Sequence, residues 1–137
     1  MEYITSFIYC DSIQTEVTPQ GAKPQIINPL QVLAPIAIPG NYSFCIACNV
    51  SGFDEHKENE VQLIFMSPEG KTIYDTGKIN FQIPEEQVSE NKPGTVQFNL
   101  DLRNVVLEEQ GICTTKVIMN GNTIGEYKIA VVLGELK

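Results

Sequence analysis

Thr95-Val96-Gln97-Phe98-Asn99-Leu100-Asp101-Leu102 alternates apolar and polar side chains without interruption. Successive side chains of an extended chain point to opposite faces, so this stretch is a strand with one oily face and one wet face. Residues 42–50 carry the same period. Tyr42, Phe44, Ile46, Cys48 and Val50 share one face, and Ser43, Cys45, Ala47 and Asn49 share the other. That second face is small but scarcely polar, which places this strand at the centre of its sheet.

Working outward, turn chemistry separates further strands. Ser67-Pro68-Glu69-Gly70 lies between Val61–Met66 and Lys71–Tyr74. Proline second and glycine fourth suit a type I turn, so a hairpin is expected. Asn120-Gly121 between Thr114–Met119 and Thr123–Leu133 is a second hairpin signal, because both residues tolerate positive φ. Helix is nearly absent, with one short turn expected in Arg103–Gln110. The count comes to about seven or eight strands. The expected fold is an all-β antiparallel β-sandwich, immunoglobulin-like or C2-like, forming a single domain over residues 1–137.

Pro24 to Pro39 breaks the alternation. Its four prolines exclude a helix interior and a central strand. Yet Ile26, Ile27, Leu30, Val32, Leu33, Ile36 and Ile38 are apolar and must leave water somewhere. Either they form an edge strand and crossover covering the end of the core, or they meet another chain. These seven residues are the candidate interaction segment.

The chain of 137 residues carries 17 acidic and 9 basic side chains, a net charge of −8. Like charge repels phosphate backbones and anionic membranes, so neither nucleic acid nor membrane is an expected partner. Basic partners or divalent cations are favoured instead. The acidic residues concentrate in polar loops: Asp54, Glu55, Glu58 and Glu60 in one, and Glu85, Glu86 and Glu90 in another. No basic segment precedes an apolar run at Met1-Glu2-Tyr3-Ile4, and no stretch is long and apolar enough to span a bilayer. A cytoplasmic protein is expected.

Cys45-Ile46-Ala47-Cys48 invites a metal or redox reading. Three residues apart on a strand means opposite faces, so the two thiols cannot share one ion. Buried reduced cysteines are expected instead, Cys10 and Cys113 included. His56 is the only histidine, and it sits in a charged loop without a nucleophile motif. No catalytic residue, metal site or cofactor is therefore assigned.

Tyr9-Cys10-Asp11-Ser12-Ile13-Gln14 opens the chain, and Glu109-Gln110-Gly111-Ile112 and the Asn120-Gly121 hairpin into Ile124-Gly125-Glu126-Tyr127 close it. Together these resemble a family of uncharacterised bacterial β-sandwich proteins, with a C-D-x-x-Q-like opening strand and a closing hairpin. The resemblance implies the sandwich fold and a bacterial or phage origin, and it carries no activity and no site residues. The expected function is a non-enzymatic binding or assembly module, engaging a protein partner or forming a homo-oligomer. Two alternatives stand beside it: an acidic phage-encoded inhibitor or decoy of a basic host surface, and a small carbohydrate-binding or hydrolytic domain.

Overall fold

A computed structural model describes residues 1–87 and 94–134. Among these residues ten strands form two sheets. They are β1 (Tyr3–Thr18), β2 (Gly21–Pro29), β3 (Val32–Leu33), β4 (Gly40–Phe53), β5 (Asn59–Met66), β6 (Thr72–Asp75), β7 (Ile79–Phe81), β8 (Gly94–Leu107), β9 (Gly111–Met119) and β10 (Asn122–Val131). The first sheet has the order β2-β1-β4-β8. The second runs β3-β10-β9-β5-β6, and β7 also pairs with β5. Every pairing is antiparallel except the two-residue contact of β3 with β10. The architecture is an all-β sandwich.

Both period-two segments turn their apolar face to the core: 42–50 becomes β4, inside its sheet, and 95–102 lies on β8, at the edge of the same sheet. Phe44, Ile46, Cys48 and Val50 of β4 meet Val61, Leu63 and Phe65 of β5 and Cys113, Val117 and Met119 of β9 in one core. Phe44 and Phe65 touch across the sheets edge to face, with ring centroids 5.4 Å apart. Each fully buried side chain of this size contributes about 1.5–3 kcal/mol.

The expected hairpins are present. Gly70 donates its N–H to the Ser67 carbonyl at 2.9 Å, closing the turn between β5 and β6. Asn120 and Gly121 hold φ of 51° and 83° between β9 and β10. Arg103–Gln110 differs from expectation. It continues as strand to Leu107, because Val105 and Leu107 alternate into the core. The single helical turn among the described residues is a 3-10 turn at Glu85–Gln87. The strand count exceeds seven or eight because very short pieces such as β3 and β7 pair as well.

Candidate functional site

β1 pairs with β4 only from Tyr3 to Cys10. Beyond Cys10 its ladder runs with β2 alone, from Ser12 opposite Ile27 to Thr18 opposite Gly21. The result is a two-stranded ribbon leaving the body of the sheet. Directly opposed residues share a face, so Ile13 with Ile26, Thr15 with Pro24 and Val17 with Ala22 make one largely apolar face. Gln14 with Gln25 and Glu16 with Lys23 make the polar one, where Gln25 donates to the Glu16 carboxylate at 2.7 Å. Ile13 and Ile26 at the root are half-buried, whereas Val17 near the tip is 86% exposed. The root borders a small hollow of about 170 Å³ shared with Cys45, Asp101 and Arg103.

The candidate interaction segment divides in two. Leu33 is fully buried, and Leu30 and Ile38 pack against the core. The cause is a strap: Leu30 N–H bonds to the Tyr9 carbonyl, and Leu33 pairs with Val131. Ile27, Val32 and Ile36 are exposed, Ile36 to 69%, and Ile26 is half-buried on the ribbon. Val32 lies in register with Ala130, itself opposite Ile112, so an exposed apolar row crosses the outer face of the second sheet. Val17 was invisible to the proline-based reading. The available signal was the short alternation Ile13-Thr15-Val17 mirrored by Ala22-Pro24-Ile26.

The loop of Asp54, Glu55, Glu58 and Glu60 is a turn organised around Asn59. This buried side chain donates to the carbonyls of Asp54 (2.9 Å) and Lys57 (3.1 Å) and accepts from Asn120 (3.0 Å). Glu58 and Glu60 line a wide shallow depression with Asn80 and Asn120, whereas Asp54 and Glu55 do not. Among the described residues no three His, Cys, Asp or Glu side chains are grouped to hold a metal ion. Glu85 and Glu86 open the 3-10 turn and face solvent. Glu90 lies outside the described residues.

A feature that the sequence did not suggest lies between β6 and β8. There a cleft of about 420 Å³ separates the edges of the two sheets, a volume within the range of ligand pockets. One wall is Ser67–Glu69 with Lys71–Ile73, and the other is the run Arg103–Glu109. Val105 and Leu107 are buried at its base, beside Cys113. A bulge sets the second wall. Arg103 and Asn104 together oppose Ser43, Asn104 holds φ of 53°, and its N–H bonds to the Ser43 hydroxyl at 2.9 Å. Arg103 pairs with Asp101 at 2.8 Å, and Lys71 lies 4.0 Å from Glu108.

The four thiols are buried and reduced. Cys48 faces the core and Cys45 the opposite side of β4, where it lies across from Cys10. Burial pushes the Cys48 thiol up to about 12. Burial, with a 3.4 Å hydrogen bond donated to Asp101, pushes Cys45 to about 11. Burial and then the Glu109 charge raise Cys113 to about 11. A nucleophilic cysteine needs the opposite shift. His56 is exposed in the Asn59 turn, its backbone N–H donated to the Asp54 carboxylate at 2.9 Å. Among the described residues no helix is long and apolar enough to cross a membrane.

Residues 5–132 match the model of a family of unknown function, DUF6941. No curated protein matches the chain. Among solved structures, an immunoglobulin-like protein from Pseudomonas aeruginosa is similar at 14% identity, covering 96% of this chain and 97% of that one, with a TM-score of 0.46. An alkylpurine DNA glycosylase from Pseudomonas fluorescens, bound to DNA containing an abasic site analog, is similar at 9% identity with a TM-score of 0.46. The match covers 91% of this chain but only 30% of the glycosylase. A β-glucosidase from Listeria innocua in complex with glucose is similar at 10% identity and a TM-score of 0.47, with 98% and 17% covered.

Proposed function

We propose that this chain, which belongs to the DUF6941 family of unknown function, is a non-enzymatic binding module that docks onto another protein chain through the β1–β2 ribbon. The observation that carries this reading is the ladder beyond Cys10, where β1 pairs with β2 and with no other strand among the described residues. A two-stranded ribbon is marginally stable in water, and its apolar face gains by being covered. Between residues 12 and 28 the only charges are Glu16 and Lys23, which oppose each other. The ribbon is thus a neutral element on a chain of net charge −8, where a second protein meets little repulsion. Lys23, Pro24 and Pro29 blunt the free edge of β2, which favours docking by the ribbon's face over docking by its edge. The buried, raised thiols argue against a cysteine nucleophile.

The test places a photo-crosslinking side chain at position 17 of the full chain, with a control at exposed Lys78, in cells of the source organism. Light scattering on the purified chain runs beside it. A discrete adduct from position 17 alone, to another protein or a second copy, is expected. A concentration-independent monomer with no adduct from position 17 overturns the proposal.

A further inference from the structure

We infer that the cleft between β6 and β8 binds an extended, basic segment of a partner protein, taken up as an added strand along β8. This site is separate from the ribbon and does not depend on it. β8 is the last strand of its sheet, so from Arg103 to Leu107 its outer edge has no strand partner among the described residues. β6 pairs with β5 on one side, and its other edge faces the same gap. Both walls are therefore strand edges, and every second residue on each directs its N–H and C=O into the space between them. Farther down β8 the gap is closed by Phe81, whose ring packs edge to face on Phe98 at 5.3 Å. The open stretch of five residues is about 13 Å long at roughly 3.3 Å per residue, the length of a short strand.

The side chains then choose the occupant. An added strand turns alternate residues inward, and the base of the cleft offers Ile73, Val105 and Leu107 to them. Apolar residues at every second position fit there. The rim carries Glu69, Glu108 and Glu109. The two cations on the walls are already matched by carboxylates, Lys71 by Glu108 and Arg103 by Asp101. The mouth is left negative, on a chain that is itself strongly acidic. A second copy and an acidic segment are repelled, and lysine or arginine at the outward positions of the strand is attracted.

The full chain, immobilised, is used to select from a random-peptide library displayed on phage. The enriched peptide is then titrated into the isotope-labelled chain and followed by amide chemical shifts. Enriched sequences are expected to alternate basic and apolar residues and to shift Lys71–Ile73 and Val105–Leu107. N-methylation of alternate amides of the peptide abolishes binding. Glu69→Gln with Glu109→Gln weakens it by about tenfold, as does high salt. No enrichment, enrichment of acidic or uncharged peptides, shifts confined to the ribbon or the Asn59 turn, undiminished binding of the N-methylated peptide, or indifference to the paired substitutions would each overturn the assignment. Because the expected shifts lie at Lys71–Ile73 and Val105–Leu107 and not on the ribbon, failure of the ribbon as a docking element leaves the expected result unchanged.

Discussion

The hydroxyl of Tyr9 lies 2.6 Å from the hydroxyl of Thr115, joining the two sheets by a hydrogen bond inside the core. Tyr9 donates to the Tyr127 carbonyl at 3.1 Å, which leaves Thr115 to donate to Tyr9. Thr115 is fully buried, and burial lifts the Tyr9 phenol well above its usual range. Tyr9→Phe removes the shared partner and strands two polar groups, at a cost of about 1–3 kcal/mol. Thr115→Val costs a similar amount, and the double variant costs less than the sum because no orphaned hydroxyl remains. Denaturant titration of all four proteins measures this coupling. A Tyr9→Phe protein as stable as the parent would exclude it.

The thiols make stability fall at alkaline pH. Cys45, Cys48 and Cys113 ionise in the folded chain only at about 11, 12 and 11, against an ordinary value of 9.0. Below about pH 9 both states keep their protons and the buried thiols contribute fully. Above it the unfolded chain releases protons that the folded chain retains, so unfolding becomes easier until the folded values are passed. The melting temperature should decline from about pH 9 upward, and Cys48→Ala should make that decline shallower. A flat profile, or a slope that the substitution leaves untouched, contradicts this origin.

Asn59 holds its turn from inside. Replacing it with alanine leaves the Asp54 and Lys57 carbonyls and one Asn120 donor without their partner, at about 1–3 kcal/mol. Asn120 also donates to the Glu2 carboxylate at 2.8 Å, so the N-terminal strand is tied to the same cluster. Hydrogen exchange on Asn59→Ala should accelerate across residues 54–60 and leave β9 protected. Uniform acceleration would mean that the turn unfolds only with the whole domain.

Gly121 gives a cleaner backbone test. Its φ is 83°, and a Cβ there meets nothing within 4 Å. Gly121→Ala therefore pays only for left-handed strain, about 1 kcal/mol. Thermal unfolding checks it, and a stabilised variant would mean that the turn has another conformation in solution.

Much of this fold can be read from residues 42–50 and 95–102, because a strand covered on one face writes its geometry into every second side chain. The same logic places Cys45 and Cys48 on opposite faces. The ribbon is harder to read. It has no core beneath it, so the short alternation Ile13-Thr15-Val17 marks a strand without selecting its partner. Within Pro24–Pro39, composition gives the apolar content but not that Leu33 turns inward while Val32 turns out. That choice is made by a two-residue pairing with Ala130 and Val131, too short to leave a period. The cleft joins Lys71–Ile73 to Arg103–Glu109, stretches brought together by sandwich closure rather than by any local motif. The Asn104 bulge shifts the register of β8 just where a helical turn is expected from the residues alone.

The free edges are spread over both layers. β6 and β7 divide one border of the second sheet into short pieces, while the two residues of β3 cover only the Ala130–Val131 end of the other, so Asn122–Ile129 of β10 have no strand partner on that side among the described residues. In the first sheet the borders are β2 and β8. A neighbour joined backbone to backbone at β8 therefore prolongs one layer, and one joined at β10 prolongs the other, so the choice of border decides which flank of a composite is continuous.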